Sequence, residues 1–141
     1  MPGKAQERRQ TNNHGYIRVW KGYYSHARAD VQGYVCEHIL VAEKALGKSL
    51  PHDAEVHHID ENRANNLNVN LVICENHAYH GLLHHRMHIL YAGGNPNLHK
   101  ICSSCKELKY QFQFGNRSRN PDGLREECKD CVSIANAKRV R

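Results

Sequence analysis

The chain has 141 residues, 40% hydrophobic and 7% aromatic. This is enough for one ordinary domain or two small ones, with a core thin enough to need fastening by metal or disulfide. No apolar run has the length to cross a membrane, and the polar start Met1-Pro2-Gly3-Lys4 lacks the apolar stretch of a secretory signal, so a membrane partner is excluded and a cytoplasmic setting is expected. The formal charge of +6 is divided unevenly: residues 1–28 hold six Lys/Arg against one acid, residues 29–99 four against eight, and residues 100–141 ten against five. Basic ends can neutralise phosphates, and an acidic, histidine-rich middle can tolerate a cation.

Residues 1–13 are polar and without periodicity and read as a flexible basic arm. Residues 15–20 alternate as a strand, and residues 31–35 read as its return. Residues 37–46 are predicted as a helix, with Ile39, Leu40, Ala42, Ala45 and Leu46 as its apolar face and Gly47 as its C-cap. His38, on that helix, reads as a core histidine with its polar atoms satisfied. Residues 55–60 form a short strand that runs into an Asn-rich loop, and residues 71–74 a second, buried one. Residues 76–91 carry the clearest helix pattern, closed by Gly93-Gly94-Asn95-Pro96-Asn97 at the start of a linker over residues 93–100. Residues 135–141 are read as a short terminal helix.

Seven of the twelve histidines lie between His57 and His88. At about 100° per residue, His77, His80, His84 and His88 fall within a stripe roughly 80° wide. Ala78, Leu82, Leu83, Ile89 and Leu90 take the other side, so one face is expected to pack and the other to present imidazoles. The i, i+4 pair His80 and His84 can place two ring nitrogens on one ion. His77 is the alternative to His80, but His80 is the one with a pattern-matching histidine four residues on. A further ligand must come from elsewhere, and His57-His58 is well placed: adjacent strand residues point to opposite sides, so one can bind metal while the other faces another part of the site. Asn70, just before Leu71-Val72-Ile73, can hydrogen-bond across the loop.

The run Val56-His57-His58-Ile59-Asp60-Glu61-Asn62, followed by Asn65-Asn66, Asn70-Leu71 and Tyr79-His80-Gly81-Leu82-Leu83-His84, resembles the HNH (His-Me finger) endonucleases common in phages and mobile elements. With Gly33-Tyr34 and Glu37-His38-Ile39-Leu40-Val41 included, the resemblance spans about residues 34–88. It implies an α+β fold, a small ββα-metal core with a strand and helix lead-in, over a nuclease domain of residues 14–92. It implies His58 as general base, Asn70 as the residue that holds the loop and aims His58, and His57, His80 and His84 as ligands of one divalent ion. The implied reaction is hydrolysis of DNA phosphodiester bonds to 5′-phosphate and 3′-hydroxyl ends, in a bacterial or phage-infected cell. Imidazole titrates near neutrality and suits proton abstraction from water. Mg²⁺ prefers oxygen ligands, so an all-histidine set fits Zn²⁺, Ni²⁺ or Mn²⁺ better.

In the remaining segment, residues 101–141, Cys102-x-x-Cys105 and Cys128-x-x-Cys131 are separated by 22 residues. In a reducing compartment such pairs read as the two halves of a tetrahedral structural zinc site, closed to chemistry by its four thiolates. Phe112, Phe114 and Leu124 are the expected small core and Asp122-Gly123 a turn. The pattern resembles the zinc-ribbon-like tails beside some phage HNH domains. Cys36 and Cys74 read as single buried thiols. Arg63 and Arg86 in the first part, and Arg117, Arg119 and Arg125 in the second, are the candidate contacts to double-stranded DNA. Monomer and homodimer both remain open. The alternative reading is a non-catalytic DNA-binding protein in which both metal clusters are structural; it has no use for an unligated His58.

Overall fold

The computed structural model describes residues 7–140. Residues 1–6 of the expected arm, and Arg141 of the expected terminal helix, lie outside the described residues. The chain divides into two compact units, residues 1–80 and 81–141, and the boundary falls inside one continuous helix.

The first unit opens with three antiparallel strands, β1 (Arg9–Thr11), β2 (Ile17–Trp20) and β3 (Tyr34–Cys36). Arg9–Thr11, read from sequence as part of an arm, are ordered by pairing: Arg9 lies opposite Val19 and Thr11 opposite Ile17. The return strand begins later than residue 31. Val31 is 94% exposed, and the Asp30 carboxylate instead accepts from the N–H groups of Gln32 and Tyr34, closing a turn. Gly33 allows it, since its φ is +84° and a Cβ there would sit 2.8 Å from the Gly22 carbonyl carbon.

Helix α1 (Glu37–Leu46) follows β3 directly. Glu37 in its first turn suits the helix dipole. Gly47 ends it in the left-handed region, φ 76°, with its N–H donating to Glu43 O. The expected apolar face holds for Ile39 and Ala42, which are buried, while Ala45 and Leu46 are exposed because the chain leaves the core after one more turn. The Glu43 carboxylate accepts from Leu50 N–H (2.9 Å) and lies 2.7 Å from His26 Nε2, which ties the segment after the helix back onto it. Arg28 Nη2 donates to the carbonyls of Pro51, His52 and Ala54 and so holds the entry to β4 (Glu55–His58).

Strand β4 pairs antiparallel with β5 (Leu71–Cys74), His57 opposite Val72 and His58 opposite Leu71. Val35, Ile39, Ala42, Leu50, Ala54 and Val56 form the core beneath, with Ala29, Cys36, Leu40 and Leu71 packed against it. Burial of each Val, Leu or Ile side chain is worth about 1.5–3 kcal/mol, and the four of them in this cluster anchor the strand that carries His57 and His58. Helix α2 (His77–Tyr91) comes next in the chain. Its non-histidine side packs less than the periodicity suggests. Ile89 is buried, but Ala78, Leu82 and Leu90 are exposed, because Leu and Ala at helical spacing report propensity as much as burial.

The second unit holds two hairpins, β6 (His99–Ile101) with β7 (Leu108–Tyr110), and β8 (Phe114–Asn116) with β9 (Leu124–Cys128), and then α3 (Lys129–Arg139). Its terminal helix starts six residues earlier than expected, at the second cysteine pair, with Cys128 as N-cap residue. Its core is Cys102, Phe114 and Cys128, with Leu124 and Cys131 beside them. Phe112, expected in that core, is 73% exposed. It occupies the short 3₁₀ turn between β7 and β8, which points its ring outward onto Tyr110, 5.5 Å between centroids and nearly parallel. Gly123 completes the 120–123 turn with φ +70°, donating to Asn120 O while its carbonyl accepts from Arg117 N–H.

Candidate active site

The pleat of β4 sets the first two groups. Val56, His57 and His58 are all buried, and alternation along the strand turns His57 and His58 to different sides. His57 faces the first turn of α2, where its ring lies 5.2 Å from that of His80, edge to face. His84 follows one turn along the same helix. His57, His80 and His84 each offer a ring nitrogen, and these atoms lie within 4.8 Å of one another. Three imidazoles this close could hold a transition or zinc-group ion.

Glu55, two residues before His57 on the same strand, orients one member of this set, His80. His80 Nδ1 lies 2.5 Å from Glu55 Oε2, and His77 Nδ1 3.0 Å from Oε1. A carboxylate only accepts when ionised, so it holds the hydrogen on His80 Nδ1 and leaves Nε2 as the nitrogen able to bind an ion. The hydrogen bond from His80, reinforced by that from His77, keeps the Glu55 carboxyl below the usual carboxylate range despite its partial burial. His77 itself is exposed and outside the three-histidine group.

His58 turns away from that group into a nest of rings. Its ring is 5.1 Å from that of His38 and 6.2 Å from that of Tyr16. Its Nε2 lies 2.9 Å from Asn66 Oδ1. Asn66 Nδ2 donates in turn to Glu37 Oε2 at 2.8 Å, and Glu37 also pairs with Arg9 of β1. His38 is buried as expected, but it is not satisfied: its Nδ1 has no hydrogen-bond partner among the described residues. Burial, with nearby His58, Arg28 and His80, brings its pKa down to about 4.

Asn70 pins the loop between β4 and β5 from both ends. Its Oδ1 accepts from Asp60 N–H, its Nδ2 donates to Asp60 Oδ1 and to Asn65 O, and its own carbonyl accepts from Ile59 N–H. Asp60 thereby becomes a hub, accepting from Asn65 Nδ2 as well, and these bonds, that from Asn65 foremost, hold its carboxyl below the usual range. Glu61 takes a left-handed φ of 59° at the resulting turn. Asn70 thus shapes the loop, whereas Asn66 is the side chain hydrogen-bonded to His58.

The four cysteine sulfurs also lie within 4.8 Å of one another, with Cys102 Sγ 3.9 Å from Cys131 Sγ. Cys102 and Cys105 bracket the turn between β6 and β7, while Cys128 and Cys131 straddle the start of α3. The Cys128 N–H points at Cys102 Sγ from 3.3 Å. Although burial opposes it, such N–H groups bring the Cys102 thiol down to about 6, in the range where thiolate is available for metal. Lys109 Nζ lies 3.3 Å from Glu107 and 3.5 Å from Asp130, a positive charge beside the cluster. A Cys₄ set of this kind fits a structural zinc.

Of the candidate DNA contacts, Arg63 is exposed in the loop after β4. Its Nη1 donates to His14 O, and its guanidinium lies 5.1 Å from the Tyr16 ring centroid. Arg86 bonds Asn97 Oδ1, and Arg117, Arg119 and Arg125 are exposed in the second unit. Glu55, Asn66 and Glu37 went unassigned in the sequence reading. Glu55 had a signal, a lone acid two residues before a strand histidine on the same face. Glu37 had none, because its partner lies 29 positions away.

Residues 36–80, from the end of β3 through the first turn of α2, match the family model described as HNH endonuclease. Searches of curated proteins and of solved structures find no match to the chain. The chain thus resembles that family over the stretch that bears His57, His58 and His80, and carries beyond it a four-cysteine cluster able to hold zinc.

Proposed function

We propose that this protein is a metal-dependent endonuclease that hydrolyses DNA phosphodiester bonds, with His58 as general base and Asn70 as the residue that holds its loop. The observation that carries the reading is a division of labour on one strand. His57 joins His80 and His84 in a group with ligand atoms within 4.8 Å of one another, while the neighbouring His58 stands outside that group, held by Asn66. A zinc-stapled binding module has no need of such a fourth imidazole.

In this reading His57, His80 and His84 hold one divalent ion, Zn²⁺, Ni²⁺ or Mn²⁺ by ligand softness and Mg²⁺ if waters fill the shell. When bound, the ion supplies Lewis acidity toward the scissile phosphate and neutralises charge on the departing oxygen. His58 accepts a proton from a water as that oxygen attacks phosphorus; the P–O3′ bond breaks and the departing O3′ takes a proton from solvent, leaving 5′-phosphate and 3′-hydroxyl ends. Glu55 keeps His80 turned with one nitrogen toward the ion, and Asn70 keeps the loop after His58 closed. The acid–base contribution of a single positioned imidazole is about 10²–10⁴-fold.

The domain reading follows as a proposal too: a nuclease domain over residues 14–92, a linker at 93–100 and a zinc module at 101–141. Arg63, Arg86, Arg117, Arg119 and Arg125 are proposed to contact duplex phosphates, with the intracellular setting expected for such a substrate. The test is plasmid nicking. Supercoiled DNA incubated with protein and Mg²⁺, Mn²⁺, Ni²⁺ or Zn²⁺ is expected to give nicked or linear product, and His58→Ala to abolish it while metal content and DNA binding persist. Full nicking by His58→Ala would remove His58 as the base, and no nicking by the wild type with any of these ions would return the protein to the class of zinc-stabilised DNA-binding proteins.

A further inference from the structure

The contact that His58 makes on its buried side carries more than packing. Asn66 Oδ1 lies 2.9 Å from His58 Nε2, and Asn66 Nδ2 lies 2.8 Å from Glu37 Oε2. An ionised carboxylate accepts only, so Glu37 selects the amide orientation that presents NH₂ to it. That orientation turns the amide oxygen, which also only accepts, toward His58. The ring nitrogen facing an acceptor must carry the hydrogen. His58 is therefore held as the Nε2–H tautomer, and its other nitrogen, Nδ1, keeps its lone pair. Arg9, paired with Glu37 from β1, steadies the far end of the chain. The rings of His38 and Tyr16 pack beside His58 and restrict it from swinging to another partner.

We infer that Glu37 and Asn66 are positioning residues that fix the tautomer of His58, so that Nδ1 is the atom offered to the reaction. The inference deepens the nuclease reading and rests on it for its catalytic consequence, but not for its structural one. Neither residue touches substrate. Glu37 sets Asn66, Asn66 sets His58, and the polarity of the whole chain is decided by one carboxylate at the start of α1. The same logic governs carboxylate–histidine pairs at metal and triad sites, where the group behind the ring decides which nitrogen is free.

The experiment combines histidine ¹⁵N NMR with plasmid nicking on the full chain loaded with zinc, using wild type, Asn66→Ala, and the pair Glu37→Gln with Asn66→Asp. Wild type should show His58 protonated on Nε2 and bare on Nδ1. Asn66→Ala should give a mixed tautomer and a nicking rate lower by roughly 10- to 100-fold, part of the general-base factor. The double variant exchanges donor and acceptor between positions 37 and 66: the new amide donates to the new carboxylate, whose second oxygen still accepts from His58. It should restore the Nε2–H tautomer and most of the rate, a recovery that loss of mere packing would not produce. Circular dichroism and zinc content check that each variant folds. A wild-type His58 protonated on Nδ1, or an Asn66→Ala protein with wild-type tautomer and rate, overturns the inference. Nicking that survives His58→Ala would instead remove the catalytic reading while leaving the tautomer result standing.

Discussion

Acidification should destabilise the first unit through His38 before most of its carboxylates are protonated. This imidazole is 8% exposed, lacks a partner for Nδ1, and sits against the rings of Tyr16 and His58. Burial lowers its pKa from 6.5 to about 4, so the folded state accepts its proton much less readily than the unfolded chain does. The sign follows: a base with a depressed folded pKa leaves stability intact above pH 6.5, and stability falls as pH drops from there toward 4, where the unfolded chain binds the extra proton. At about 1.4 kcal/mol per pH unit over that interval the loss approaches about 3 kcal/mol, a large share of the stability of a small domain. The assay is urea unfolding at a series of pH values, followed by fluorescence of Trp20, the single tryptophan, which lies on β2 of this unit. His38→Phe keeps the ring contacts and removes the titration, so its stability should fall less between pH 6.5 and 4 by most of that amount. Parallel pH profiles for the two proteins, or a His38 that titrates by NMR near 6.5, would refute the reasoning.

Other outcomes follow from particular contacts. Stripping zinc with a strong chelator should unfold the 101–140 module, seen as loss of α3 helicity and release of one zinc per module, because its core holds just one fully aromatic side chain, Phe114, among cysteines; unchanged helicity would contradict it. Phe114→Ala, at a ring 3% exposed, should cost about 3–5 kcal/mol and leave the module unable to retain zinc in a competition titration. Glu55→Ala should weaken divalent-ion binding at the histidine group about 10- to 100-fold by isothermal titration, since His80 loses the group that orients it. Gly33→Ala should lower the unfolding midpoint of the first unit markedly, because the new methyl meets the Gly22 backbone at 2.8 Å in a left-handed conformation.

Much of this molecule follows from short-range pattern. Helix α1 has the bounds that its apolar spacing and Gly47 predict, because a helix is built from bonds four residues apart and a left-handed glycine ends it locally. The strands β4 and β5 were readable as elements, although β4 stops at His58 rather than residue 60 and only Cys74 of β5 is buried; the C-x-x-C pairing was readable too, because its ligand spacing is itself a local constraint. Side-chain burial was not. Phe112 and Phe114 sit two residues apart with the same hydrophobicity, and a 3₁₀ turn sends one to solvent and the other to the core. Ala78, Leu82 and Leu90 carry the periodicity of a packed face and are exposed. Order in Arg9–Thr11 came from strand pairing, which composition does not encode. The partners of His58 were out of reach for the same reason: Asn66 lies eight positions away and Glu37 a further 29 from Asn66. Which acceptor faces an imidazole, and so which nitrogen it offers, depends on groups that meet only when α1, the Asn-rich loop and β4 close on one another, and no periodicity along the chain carries that information.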